Sequence, residues 1–300
     1  MSTGPASAGD NPMRGIALFT SAVLMFTAMD TTAKYLAQTY PVWQVVWARY
    51  AFNLVFALAI IAPTGLPSGW LRTRRPGLQI VRGMLLIAST AIFFNAIHRL
   101  PLADAASIGF SSPLIVTALS VPLLGEKVGI RRWSAVLVGF LGVLVIVRPG
   151  VAELRWELLL PLGSAFVFAL YAILTRVLTR TDNAMTTLLW SAVVGTAIAS
   201  VPLYDSWRAP DAWAWGLMVA LGVLGGFSHF IIIHAFSHAP ASVLAPFTYL
   251  QLISMTASGY FVFGDFPDPW TIAGAVIISG SGIYVFYREA VLRHAARVQV

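Results

Sequence analysis

A chain of 300 residues in which 58% of side chains are hydrophobic and only 10% charged is not a soluble domain, whose surface needs about 25% charge. The net charge of +7 belongs to Lys and Arg lying mostly between apolar stretches, so it reads as a topology signal and excludes a nucleic-acid footprint. With no cysteine, disulfides, thiolate chemistry and Cys-based metal sites are excluded as well.

Residues 1–13 are polar and small and lack the charged-then-apolar order of a secretory signal, which predicts a disordered cytoplasmic tail. A helix needs about 20 residues to cross a hydrocarbon core of about 30 Å. On that ruler ten spans are predicted at 14–36, 42–62, 77–97, 101–123, 131–148, 156–178, 184–204, 212–235, 240–263 and 270–288, followed by a C-terminal tail at 289–300. Turn-forming clusters such as Pro63-Thr64-Gly65, Arg148-Pro149-Gly150 and Asp265-Phe266-Pro267 separate them. One side of the membrane then collects Arg14, Arg72, Arg74, Arg75, Lys127, Arg131, Arg132, Arg176, Arg180, Arg288, Arg293 and Arg297. The other collects Lys34, Arg99, Arg148, Arg155 and Arg208. Because positive residues stay inside, both termini are expected in the cytoplasm.

Ionisable groups within spans are costly and mark function or pairing. Asp30 and Arg49 lie at nearly equal depth in spans one and two, with Lys34 one helical turn beyond Asp30. They are expected to form a structural or gating ion pair. Span four carries Pro101 and Pro113, and span nine carries Pro240 and Pro246. Two helices broken at corresponding positions point to a transporter's binding site. His234 and His238 have ligand-like spacing, yet no acid or cysteine accompanies them, so no metal site and no cofactor are expected. A phosphate-cradling G-x-x-x-x-G-K-[ST] loop, an H-E-x-x-H pair and a supported nucleophile are all missing, which speaks against a pump or an enzyme. Gly139, Gly142, Gly280 and Gly282 make spans five and ten helix-packing surfaces suited to a homodimer.

The second half repeats the first at an offset of 139 residues. Ala96 meets Ala235, Pro101 meets Pro240, Ala106 meets Ala245, Gly125 meets Gly264 and Glu126 meets Asp265. Two five-span units, 14–150 and 151–288, would therefore lie inverted in the bilayer, as in secondary transporters. The run from Ala96 to Gly150 reads A-I-H-R-L-P-L-A-D-A-A-S, then S-S-P-L-I, L-L-G-E-K and G-F-L-G-V-L-V-I-V-R-P-G. It resembles the EamA-type repeat of the drug/metabolite transporter superfamily, and Trp47-Ala48-Arg49-Tyr50 resembles that family's Arg-plus-aromatic element.

The resemblance implies an all-α membrane protein of ten transmembrane helices, two inverted five-helix repeats around a central cavity lined by spans one, three, four, six, eight and nine. It also implies export or exchange of small metabolites, often amino acids, across a bacterial inner membrane, and suggests the aromatic amino acid exporter branch. The deep polar groups on those spans, Asn95, His98, Ser111, Tyr171, His229, Tyr249 and Gln251, are the expected substrate contacts. They suit a small neutral amphipathic solute, with the lipid bilayer as the other partner. A carrier of phosphorylated or nucleotide-linked sugars, or a channel, is the alternative.

Overall fold

A computed structural model describes residues 12–61, 72–126, 128–148, 155–178, 181–182, 184–239 and 241–298. Pro240, Lys127 and the N-terminal tail up to residue 11 lie outside them. Among the described residues the chain is helical: α1 (Pro12–Ala37), α2 (Val42–Ile61), α3 (Pro76–Arg99), α4 (Leu102–Gly109), α5 (Ser112–Leu124) and α6 (Ile130–Val147). A 3₁₀ turn (Trp156–Leu158) leads into α7 (Leu159–Leu178), then α8 (Ala184–Ser200), α9 (Leu203–Ser206), α10 (Ala212–His238) and α11 (Ala241–Leu244). A second 3₁₀ segment (Ala245–Tyr249) precedes α12 (Leu250–Phe263) and α13 (Pro269–Val298).

Proline chemistry sets the breaks. Leu100 is extended (φ −117°, ψ 156°) because a residue before proline avoids helical backbone, so α3 stops there and α4 starts after Pro101. Pro113 has no N–H to donate and stands in the first turn of α5, where none is required; α4 and α5 are separated at Phe110 and Ser111. In the second half Pro246 stands in the first turn of the 3₁₀ segment that precedes α12. Both broken helices end alike. Gly125 (φ 68°) and Gly264 (φ 74°) take left-handed backbone, which a Cβ would strain. The amides of Glu126 and Asp265 then bond back to Ser120 and Gly259, and those of the two glycines to Val121 and Tyr260. The Gly-acid stops seen 139 residues apart are thus the same helix cap made twice.

The expected ten-helix arrangement of two inverted five-helix repeats around a central cavity is not what the structure gives. Among the described residues seven helices are long and apolar enough to cross a membrane: Met13–Ala37, Val42–Ile60, Pro76–Arg99, Leu102–Leu124, Ile130–Val147, Trp156–Leu178 and Ala212–His238. Met185–Ser200 is a shorter apolar helix, and α13 is not among the seven. The ninth span, expected at 240–263 with breaks at Pro240 and Pro246, is divided into α11, a 3₁₀ segment and a 14-residue α12, about 21 Å long at 1.5 Å per residue. Apolar run length alone could not register that division.

Packing runs α1 along α10, α6 along α13, α3 along α7 and α8, and α2 along α10 and α8. The α6–α13 contact needs glycine on both sides. A Cβ added at Gly274 would lie 2.6 Å from the Gly142 carbonyl oxygen, and one at Gly142 3.0 Å from that of Gly274. Gly139 likewise abuts Leu114 and Ser281. Much of the glycine surface expected to serve a homodimer is therefore occupied within the chain.

Long-range polar ties gather at two ends of the bundle. At one end Gln44 and the Arg208 backbone exchange hydrogen bonds (2.7 and 3.0 Å), Arg148 pairs with Asp268 (2.6 Å), and Lys34 pairs with Asp265 (3.0 Å). At the other, Asp182 accepts from Thr73 (2.5 Å) and Gln79 (2.7 Å), and Arg176 pairs with Glu126 (2.5 Å).

Candidate substrate site

One face of α1 presents Thr27, Asp30 and Lys34, spaced three and four residues apart and so stacked above one another. All three turn toward α12 and its flanks. Thr27 and Ser254 share a hydroxyl hydrogen bond of 2.6 Å, Gln251 Nε2 donates to Asp30 Oδ2 at 3.5 Å, and Lys34 Nζ reaches Asp265 Oδ2 at 3.0 Å. Lys34 also donates to the Leu100 carbonyl (2.8 Å), at the break before Pro101, and lies 4.8 Å from the Phe263 ring centre. Its partner is therefore Asp265 rather than Asp30.

Asp30 is 5% exposed, and its one hydrogen bond is long for a carboxylate. Arg49 acts on it through space without a direct ion pair. The guanidinium instead donates to Thr90 Oγ1 (3.0 Å) and lies 5.6 Å from the ring centres of Tyr50 and Phe94. Tyr50 shares Thr90's hydroxyl at 2.9 Å. Gly225 of α10 keeps this space open: a Cβ there would sit 3.2 Å from the Met29 sulfur and 3.9 Å from Arg49 Nε. One turn along α10, His229 rests edge-on against Phe26 (5.0 Å) within electrostatic reach of Arg49.

The remaining expected contacts divide. Tyr249 packs on Phe110 (5.4 Å, 31°), so the two helix breaks meet ring to ring. Ser111, inside the first break, is fully buried with an unpartnered hydroxyl. Tyr171 accepts from Arg82 (2.7 Å). Asn95 bonds back to the Ala91 carbonyl of its own helix (2.9 Å), and His98 is exposed at the end of α3. The structure thus brings Asp30, Arg49, His229 and Gln251 toward one region, with Tyr249 and Ser111 at the breaks beside α12, and leaves Asn95 and His98 out.

Sequence reading did not single out Arg82. It is 5% exposed, and its nitrogens donate to Thr175 Oγ1 (2.7 Å), the Thr187 carbonyl (3.0 Å), Ser191 Oγ (2.5 Å) and Tyr171 Oη (2.7 Å), binding α3 to α7 and α8. An arginine inside an apolar helix was the available signal. Thr90 and Gln79, ordinary polar residues in sequence, gain their roles only from neighbours on other helices.

Two cavities stand out. A groove of about 540 Å³ between α5, α6 and α7 is walled by Ile115, Leu119, Phe140, Leu162 and Phe166 among others, an apolar face suited to lipid. A second, of about 30 Å³, lies among Asp104, Arg148, Arg155, Asp268 and Thr271. Neither is lined by an expected substrate contact. No group of three or more metal-ligating side chains occurs among the described residues.

With this architecture the chain is a membrane transporter. The EamA-like transporter family matches residues 13–148 and again 155–287, and the chain belongs to that family. It is 30% identical over 278 residues to the S-adenosylmethionine uptake transporter of Rickettsia prowazekii (strain Madrid E), covering 92% of this chain and 94% of that one. It is 28% identical to the riboflavin transporter of Vibrio cholerae (89% and 91% covered) and 27% identical to the pseudopaline exporter CntI of Pseudomonas aeruginosa (88% and 93%). A solved crystal structure with 17% identity and a TM-score of 0.61, covering 89% of this chain and 94% of that one, shares the fold. None of these relatives is named for amino acids, so the aromatic amino acid branch is not supported.

Proposed function

We propose that the protein is a secondary carrier of the bacterial inner membrane, both termini cytoplasmic, for an amphipathic organic metabolite bearing both signs of charge, with S-adenosylmethionine as the first compound to test. The observation that carries this reading is that Asp30 and Arg49 share one buried region yet are held apart by neutral partners. A buried carboxylate and a half-buried guanidinium that do not pair directly each leave capacity for an opposite charge on a ligand. The relatedness to S-adenosylmethionine carriers supports the substrate class. A sugar phosphate is disfavoured because it needs several available cations, whereas Arg82 is engaged by four neutral oxygens and Lys34 by Asp265.

Counterflow in proteoliposomes tests the carrier mechanism. Vesicles preloaded with unlabelled S-adenosylmethionine should take up the labelled compound transiently above equilibrium, with riboflavin as the comparison substrate. Uptake that never overshoots would indicate a channel, and overshoot with riboflavin alone would replace the substrate.

A further inference from the structure

The small polar cavity has no part in the site described above. Asp104, in the first turn of α4, is 8% exposed, and its Oδ1 has no hydrogen-bond partner. Thr271 of α13, with Asp268, Arg148 and Arg155, completes the wall of a cavity of about 30 Å³ beside this carboxylate. A volume near that of one water, beside a buried carboxylate oxygen lacking a donor, calls for a proton donor there.

The geometry points to Asp104 as a proton-binding group of this carrier, loaded from water in that cavity. Sodium fits poorly, since it would need several oxygen ligands where two guanidiniums already stand. Arg155 shares the cavity wall, and three of the other charged groups nearby have partners of their own. Arg148 holds Asp268 at 2.6 Å, Lys34 holds Asp265 at 3.0 Å, and Arg99 lies 5.2 Å from the Trp156 ring centre; His98 is exposed. Loading converts the carboxylate to a carboxylic acid with a proton delivered from hydronium in the bulk, the cavity water passing one proton on as it accepts another, and release returns the proton to bulk water by the same route. The acid would lose its attraction to Arg148 and Arg155 and so loosen α4 from the α6 and α13 ends. That places the proton at the short half-helix bordering the first break.

Two readouts test this on the full-length protein. Infrared difference spectra of the purified carrier between acid and neutral pH should contain a protonated-carboxyl band that Asp104→Asn removes. Thr271→Val, which removes a hydroxyl from the cavity wall beside the carboxylate and so disfavours its charged form, should move the band's midpoint to higher pH. In proteoliposomes the stimulation of labelled S-adenosylmethionine uptake by a pH gradient at clamped potential, several-fold in the native carrier, should vanish in Asp104→Asn. The transport arm rests on the substrate reading; if the native carrier does not move S-adenosylmethionine, that reading fails while the spectra still decide this one. An unchanged spectrum in Asp104→Asn, an unmoved midpoint in Thr271→Val, full stimulation in Asp104→Asn, or a sodium gradient replacing the proton gradient would each overturn the proposal.

Discussion

Arg82 shows how a buried cation persists in a membrane helix without an acid. Four of its five N–H groups meet neutral oxygens, two of them hydroxyls that also donate to carbonyls of their own helices, Thr175 to Tyr171 (2.7 Å) and Ser191 to Thr187 (2.9 Å). Removing the guanidinium therefore leaves those hydroxyls partly satisfied, and the loss is that of charge-assisted bonds across three helices. Arg82→Leu should lower stability by about 2–3 kcal/mol, read as thermal unfolding in detergent; an unchanged midpoint would mean the ties contribute nothing. Asp182 is a gentler case on the opposite side of the protonation balance. Slight burial pushes its carboxyl up, but the Thr73 and Gln79 hydrogen bonds and Arg75 hold it below the usual carboxylate range. With a depressed folded value, its stabilising contribution is present above about pH 4 and is lost as the pH falls through that depressed value. Asp182→Asn should therefore flatten the drop in unfolding temperature between neutral pH and pH 3, and a drop as steep as the native one would refute it. The charged residues were visible in sequence, but their partners were not. Lys34 finds Asp265, far along the chain, because helix packing overrules the one-turn proximity of Asp30.

Among elements, the breaks and caps carried the clearest sequence signal. Pro101, Pro113 and the Gly-acid stops work through backbone sterics and hydrogen-bonding capacity, which local sequence dictates. Pro240 and Pro246 marked the ninth span as broken, but the 3₁₀ winding at the break was not legible, because hydropathy measures apolarity and is blind to whether five residues wind as 3₁₀ or α. Gly139, Gly142, Gly280 and Gly282 were read as helix-packing surfaces, but spacing does not reveal which helix a small face meets, and Gly274, opposite Gly142, was not singled out. Their actual use gives a sharp expectation. Gly274→Ala would force a methyl against Ile146 Cγ1 and the Gly142 carbonyl, and should cost about 1–3 kcal/mol by overpacking. Equal thermal stability of native and variant protein would show that α6 and α13 can part at no cost.

For the whole molecule, the two sets of polar ties match the division of basic residues read from the sequence. Gln44, Arg208, Arg148 and Lys34 gather at one end, Thr73, Asp182 and Arg176 at the other. The absence of native cysteine makes sidedness easy to measure. Tyr204→Cys, at a position 92% exposed, should react with an impermeant maleimide in intact cells, and Arg74→Cys only after permeabilisation; the reverse pattern would invert the proposed orientation. Between these ends lie Asp30 and Arg49, and their joint recognition of a doubly charged substrate is the central claim. The most direct measurement is the half-saturation concentration for S-adenosylmethionine in counterflow by native, Asp30→Asn and Arg49→Gln carriers of equal expression and thermal stability. Each substitution is predicted to raise it by about tenfold or more, as loss of a charge-assisted contact requires. Half-saturation unchanged in both variants would contradict the account.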